Sequence, residues 1–210
     1  YELLNEPVAP DPEDWNRVAL GALAAVRERK PERTVVLGSN NFQSCDTFDS
    51  LRVPDRDQEP GERLILSCHF YRPMFVTHYR APWWRGGCDY DGPVQYPGRP
   101  IPEETFAALP AEKQQAWSEL NEPWGRADMV AALAKPLAVR ERTGRPLYCG
   151  EFGCRLVTPE AARTHWYRDI VSVFEELDIA FANWDYRGGF GLVDADGNET
   201  GTVELLMGRD

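Results

Sequence analysis

The chain has 210 residues, 42% of them hydrophobic and 27% charged, a composition that suits a globular protein with one substantial core. Its formal charge of -11 repels a phosphate backbone, so nucleic acid is disfavoured and not expected as a partner, and the acidic excess reads as a solvated surface. No apolar run approaches the roughly 18 residues that would cross a bilayer, and no leader-peptide pattern is read in the opening residues, which means little in a chain that opens inside a motif.

In chain order, Glu2 to Asn5 reads as the end of a strand. Asp11-Pro12-Glu13 then opens a helix: Asp caps, Pro fits the first turn, and Glu suits the positive end of the helix dipole. Trp15, Val18, Ala19, Ala22 and Val26 recur at helical spacing and predict one buried stripe. Thr34 to Gly38 and Leu64 to Cys68 read as two further strands. Residues 80 to 101 form a long irregular stretch rich in Gly and Pro. Stretches of that length are usually functional or disordered, and Trp83, Trp84, Tyr90 and Tyr96 argue for order. Helical patterns follow near 103 to 119 and 125 to 142, the second interrupted or kinked at Pro136. A strand at 147 to 151, a helix from Pro159 to Leu177 behind a Thr158 cap, a strand at 179 to 184, a turn at Asp194 to Gly197 and a short helix near 202 to 207 complete the chain.

Strands that alternate with helices through short connections predict an α/β fold with a parallel sheet. No repeat, low-complexity tract or linker divides residues 1 to 210, which read as a single domain. The cysteines at 45, 68, 88, 149 and 154 are odd in number and match no zinc spacing. Buried free thiols are expected, with one disulfide left open. His69, His78 and His165 form no metal-binding pattern, and neither a metal nor another cofactor is expected.

Two segments, Tyr1 to Pro7 and Leu147 to Gly153, each place a glutamate at the end of a short apolar run. Two such carboxyl groups can share one reaction: one donates a proton to a leaving oxygen while the other attacks carbon. Other polar or unusual residues also follow strands: Asn5 beside Glu6, Ser39-Asn40-Asn41, His69 with Tyr71, Glu151, and Trp184. Functional residues at the carboxyl ends of successive parallel strands are the pattern of a (β/α) barrel active site. Asn121-Glu122-Pro123 repeats the tripeptide of residues 5 to 7, but it follows a polar helical pattern and reads as a connection between helices.

With these segments the chain resembles glycoside hydrolase family 5, the retaining cellulase-type enzymes of the barrel clan. Asn5-Glu6-Pro7 resembles the family's strand-four acid/base motif. His69-Phe70-Tyr71, followed by Phe75-Val76-Thr77-His78, resembles its strand-six segment. Gly150-Glu151-Phe152-Gly153 resembles the strand-seven nucleophile motif, and Trp184 the strand-eight tryptophan under the sugar. The resemblance implies Glu6 as acid/base, with a pKa raised by burial beside a second carboxylate, and Glu151 as nucleophile. It also implies that Asn5 binds the sugar 2-hydroxyl, that Tyr71 and His69 hold Glu151, and that Trp184 binds substrate. The implied activity is endo-β-1,4-glucanase action on cellulose or cello-oligosaccharides in polysaccharide degradation, with mannan and mixed-linkage glucan left open. Secretion is implied by the family alone.

The resemblance covers strands four to eight, and nothing matches the Arg and His that the first three strands of the family contribute. The fold expected is therefore a partial (β/α)8 TIM barrel that lacks the first three β/α units. Such a sheet has open edges and a wet apolar face, so completion by a second copy, a homodimer, is expected. The rival reading is a catalytically weak carbohydrate-binding remnant with Trp83, Trp84 and Trp184 as stacking platforms.

Overall fold

The structure is a computed structural model and describes residues 1–55 and 63–207. The chain divides into two compact units. The first comprises Tyr1–Phe70, Ala131–Glu151 and Ile179–Ala182; the second comprises Tyr71–Val130, Phe152–Asp178 and Asn183–Asp210.

The first unit is built on a parallel four-stranded sheet in the order β1 (Val35–Gly38), β2 (Leu64–Phe70), β3 (Leu147–Phe152), β4 (Ala180–Asn183). β1 and β2 are in register from Val35 opposite Leu64 to Gly38 opposite Ser67. Six of the seven residues of β2 are buried, as expected of a parallel strand covered on both faces. The expected strand at residues 2 to 5 shrinks to a bridge: Glu2 pairs in parallel with Val36, Leu3 N–H donates to the Val36 carbonyl at 3.2 Å and Val36 N–H to that of Tyr1 at 2.7 Å. Pairing stops where the chain turns, since Glu6 has a φ of 49°, outside the extended region.

Helix α1 (Pro12–Arg29) starts as expected, with the Asp11 side chain accepting from Glu13 N–H at 2.9 Å. Its buried stripe differs in part. Trp15, Asn16, Ala19 and Leu23 face inward, whereas Val18 is 55% exposed. Val18 lies one residue, and so about 100°, round the helix from Ala19, which turns it out of the stripe. Trp15 Nε1 donates to the Gly38 carbonyl at 2.9 Å; Asn16 donates to the Ser50 carbonyl and accepts from Arg52 N–H, both at 2.9 Å. These bonds fasten the helix to the end of β1 and to the segment that follows it.

The expected helix near 125 to 142 is two, Arg126–Ala132 and Ala134–Thr143, separated at Leu133. Pro136 is not the break. It is the third residue of the second helix, where no amide hydrogen is needed for the helix ladder.

The second unit orders the long irregular stretch as expected. Phe75, Tyr79, Tyr90, Val94, Ile101 and Trp117 form a buried cluster, with Trp84, Phe106 and Leu109 packed against it. Polar tips find partners: Tyr90 donates to the Pro93 carbonyl at 2.6 Å, and Tyr96 to Asp169 at 2.7 Å. The expected helix at 103 to 119 is split into Glu103–Ala107 and Ala111–Trp117, because Pro110 cannot continue a helix ladder. The helix Glu160–Glu176 has Pro159 rather than Thr158 at its cap position. The Thr158 hydroxyl donates instead to the Val76 carbonyl at 2.8 Å. The Asp194 turn forms, closed by Gly197 N–H on the Asp194 carbonyl at 3.1 Å. His165 is exposed on its helix.

All five cysteines are free; Cys88 is exposed and the other four are buried. Cys149 beside Cys68, together with burial, pushes the Cys68 thiol well above the ordinary thiol range, and burial pushes Cys154 up to about 12. Thiolate is the reactive form, so an aromatic disulfide reagent at pH 8 is expected to titrate one thiol in the native protein and five after denaturation. More than one fast thiol in the native protein contradicts this burial. Leu66, fully buried in β2, is expected to cost about 2–5 kcal/mol when replaced by Ala, because a cavity remains. Urea unfolding should show that loss as a lowered midpoint at unchanged slope.

Candidate active site

Three residues from distant parts of the chain meet at the carboxyl ends of the strands of the first unit. His69 is the penultimate residue of β2 and its side chain is 3% exposed. Its Nδ1 lies 3.0 Å from Glu6 Oε1 and 3.5 Å from Glu151 Oε2. The Glu6 side chain is 33% exposed and that of Glu151 12%, so one carboxylate opens to solvent more than the other. A ring nitrogen of His69 and one oxygen from each carboxylate all lie within 4.8 Å of one another. That spacing could hold a divalent cation, and it equally suits a shared proton site.

Glycine makes the cluster possible at β3. A Cβ on Gly150 would fall 2.6 Å from Ser67 Oγ and 3.4 Å from His69 Nε2, so only glycine lets β3 lie this close to β2 beside Glu151. Tyr148, two residues earlier, is half-buried and its phenol is pushed up by burial and then by the neighbouring Cys149, Glu2 and Glu151, which keeps it neutral beside the acids.

Glu6 sits in a loop fastened to the segment that leaves β1. Asn40 accepts from Ala9 N–H and donates to the Ala9 carbonyl, both at 2.8 Å. Phe42 N–H donates to the Pro7 carbonyl at 3.2 Å. Glu6 N–H donates to Gln43 Oε1 at 2.9 Å, and Gln43 Nε2 donates to Ser67 Oγ at 3.0 Å. Asn41, Phe42 and Gln43 have φ of 54°, 62° and 54°. A left-handed L-residue costs about 1–2 kcal/mol, so this turn stores strain that its hydrogen bonds offset.

Of the residues singled out in the sequence, Glu6, His69 and Glu151 come together, with Asn5 exposed beside Glu6. Asn40 is a buried support of the Glu6 loop, and Ser39, also buried, donates to the Ser44 carbonyl at 2.8 Å. Tyr71 and Trp184 belong to the second unit. There Tyr71 makes edge-on ring contacts with His78 and Phe190 at centroid distances of 4.9 and 6.0 Å. Trp184 is 48% exposed, with its N–H donating to the Phe152 carbonyl at 2.8 Å. Trp83 is 64% exposed, with the Arg155 guanidinium 5.3 Å from its ring centre. The second Asn-Glu-Pro is a connection between helices, as expected. Asn121 is buried and bonds both the N–H and the carbonyl of Ile101, while Glu122 is exposed, 3.5 Å from Arg99. Sequence reasoning missed Gln43 and Ser67. The only pointer was the Ser39-Asn40-Asn41 run just before Gln43, polar residues where a strand ends.

The family model of cellulase (glycosyl hydrolase family 5) matches residues 1–189. The chain is 35% identical over 188 residues to endoglucanase C of Acetivibrio thermocellus, covering 89% of this chain and 53% of that protein. It is 26% identical over 182 residues to cellodextrinase A of Ruminococcus flavefaciens, covering 86% and 45%. Among solved structures, Thermotoga maritima Cel5A in complex with cellobiose superimposes with a TM-score of 0.72 at 22% identity, over 98% of this chain and 57% of that one. The cellulose synthase subunit Z of Clostridioides difficile gives 0.75 at 20%, over 98% and 60%. The chain belongs to glycosyl hydrolase family 5, and its fold is part of a (β/α)8 barrel. It spans about half the length of the curated relatives it matches.

The close approach at Gly150 yields a direct test. Gly150→Ala is expected to destabilise by about 1–3 kcal/mol through overpacking and to displace the His69 ring, read as a lower melting temperature and shifted imidazole NMR resonances. An unchanged imidazole spectrum would show that β2 and β3 yield without moving the ring.

Proposed function

We propose that the chain carries the catalytic carboxylates of a retaining β-1,4-glucan hydrolase within a single catalytic domain, residues 1–210. Glu6 donates a proton to the departing glycosidic oxygen and Glu151 attacks the anomeric carbon to give a glycosyl-enzyme. Water, deprotonated by Glu6, then releases the sugar. The observation that carries this reading is the spacing of the two acids. Carboxylate oxygens of Glu6 and Glu151 lie within 4.8 Å, close to the roughly 5–5.5 Å carboxyl separation of retaining enzymes and short of the roughly 6.5–9.5 Å that admits water in inverting ones.

His69, almost fully enclosed, supports the division of labour by contacting both acids. Asn5, Tyr71 and Trp184 are proposed as substrate contacts on the family resemblance. The substrate class proposed is cellulose or cello-oligosaccharides, in keeping with relatives named as endoglucanases and a cellodextrinase.

We also propose that the chain works as a homodimer. Its support is β4, the last strand in the sheet order among the described residues, whose residues are exposed or half-exposed. Unpaired strand edges and exposed apolar side chains favour association.

Glu151→Ala is expected to abolish turnover of every substrate. Glu6→Ala should lose unactivated glucan but form the glycosyl-enzyme from an activated aryl cellobioside, whose leaving group needs no proton. Equal loss of the aryl substrate in both variants, or product of inverted configuration by NMR, refutes these roles. Binding of cello-oligosaccharide without any hydrolysis by the unaltered chain would favour the carbohydrate-binding remnant. For the dimer, light scattering should give twice the chain mass, and dilution should lower the melting temperature; a concentration-independent monomer rules it out.

A further inference from the structure

We propose that Gln43 is a positioning residue for the acid/base carboxyl: its side-chain amide holds the backbone of Glu6 and so sets where that carboxyl points. The inference rests on the reading of Glu6 as the acid/base. Gln43 is fully buried, an environment that disfavours an amide unless its polar atoms are bonded. Oε1 accepts from Glu6 N–H at 2.9 Å and Nε2 donates to Ser67 Oγ at 3.0 Å. The amide is thus a bridge from Glu6 to β2.

The local backbone is organised around that bridge. Three consecutive non-glycine residues, Asn41, Phe42 and Gln43, adopt positive φ. Hydrophobic burial does not explain the strained turn, because the bulky residue within it, Phe42, is 55% exposed. What the turn delivers inward is the Gln43 side chain. Room for it comes from Gly38 at the end of β1, where a Cβ would lie 2.5 Å from the Gln43 amide. Glu6 itself has a φ of 49°, a conformation that needs external support in a residue with a Cβ.

The result is a two-point attachment. Ser67 and His69 are two residues apart on β2 and share a face of the strand. The Glu6 backbone reaches Ser67 through Gln43, while its carboxylate reaches His69 Nδ1 directly at 3.0 Å. Removing the first attachment leaves the carboxyl tethered only by its own tip, and its proton is then presented over a range of positions. A misplacement of about 1 Å can cost on the order of 10²-fold in rate.

The test compares Gln43→Met, which keeps the volume and loses both hydrogen bonds, with Gln43→Glu, which keeps an acceptor for Glu6 N–H. On an unactivated cello-oligosaccharide, Gln43→Met is expected to lower kcat by about 10²-fold with KM little changed. Formation of the glycosyl-enzyme from an activated aryl cellobioside should fall by less than about threefold, because that step needs no acid. Gln43→Glu should recover most of the loss. Independently of turnover, NMR should show Glu6 N–H losing its protection from hydrogen exchange in Gln43→Met. If Gln43→Met does not fold, Ser67→Ala, which releases only the far end of the bridge, should move the same readouts in the same direction. Equal loss on both substrates, or an unchanged exchange of the Glu6 amide, overturns the proposal. A Glu6→Gln variant that still cleaves the unactivated substrate would instead overturn the acid/base reading and leave the hold of Gln43 on the Glu6 amide to stand on the exchange data.

Discussion

The contact between His69 and Glu6 joins residues 63 positions apart at 3.0 Å, and the geometry of the site depends on it. It requires β2 to run on as far as Phe70, so that the imidazole is presented from a strand and not from a loop. It requires glycine at position 150, so that β3 can lie against β2 and bring Glu151 to the same ring nitrogen, 3.5 Å away. It also requires the first residues of the chain to leave the sheet after Leu3 and turn at Glu6. A rigid parallel sheet supplies the first two conditions, since its strands are buried and in fixed register. A fastened loop supplies the third.

The surroundings of these groups are chemically quiet in a way that suits acid chemistry. Cys68 precedes His69 and Cys149 lies two residues before Glu151, and both are buried. Cys149 Sγ donates to the Glu151 carbonyl at 3.3 Å, and Cys45 Sγ contacts the His69 carbonyl at 3.9 Å. Thiols in these positions behave as small apolar side chains with a weak donor. They fill space beneath the acids without adding a competing charge, because Cys68 stays protonated far beyond neutral pH. No helix of the described residues is long and apolar enough to cross a membrane.

The second unit shows how much aromatic content serves packing. Tyr90, Tyr96 and Trp117 are buried, and Phe75 meets Trp84, Tyr90 and Trp117 edge-on at centroid distances of 5.1 to 5.8 Å. Edge-on rings gain both dispersion and quadrupole attraction, which explains how a stretch with so little regular structure is ordered. Trp83 and Trp184 remain exposed, Trp83 with the Arg155 guanidinium 5.3 Å from its ring centre. The two Asn-Glu-Pro tripeptides take opposite roles for the same kind of reason. Asn121 spends its amide on the Ile101 backbone and leaves Glu122 outside, whereas Asn5 is exposed and Glu6 turns toward His69.

The α/β class, strands near 34 to 38, 64 to 68 and 147 to 151, and the candidate acids Glu6 and Glu151 were legible in the residues, because strand runs, caps and strand-end carboxylates are local patterns that survive in any packing. Proline made the helix breaks only partly legible: Pro110 does divide a helix, while Pro136 sits harmlessly in a first turn, a difference of a few residues in where the helix begins. The burial of Leu23 in place of Val18 was decided by which side of α1 meets Gly38 and Ser50. The role of Gln43 was decided wholly by tertiary structure. Nothing in the pattern Asn-Asn-Phe-Gln announces a left-handed turn, because intrinsic preference opposes one; it exists through bonds to residues 6, 7 and 67, which are distant in sequence. Sequence records local preference, and a positioning bond is a relation between segments that only the folded chain brings together.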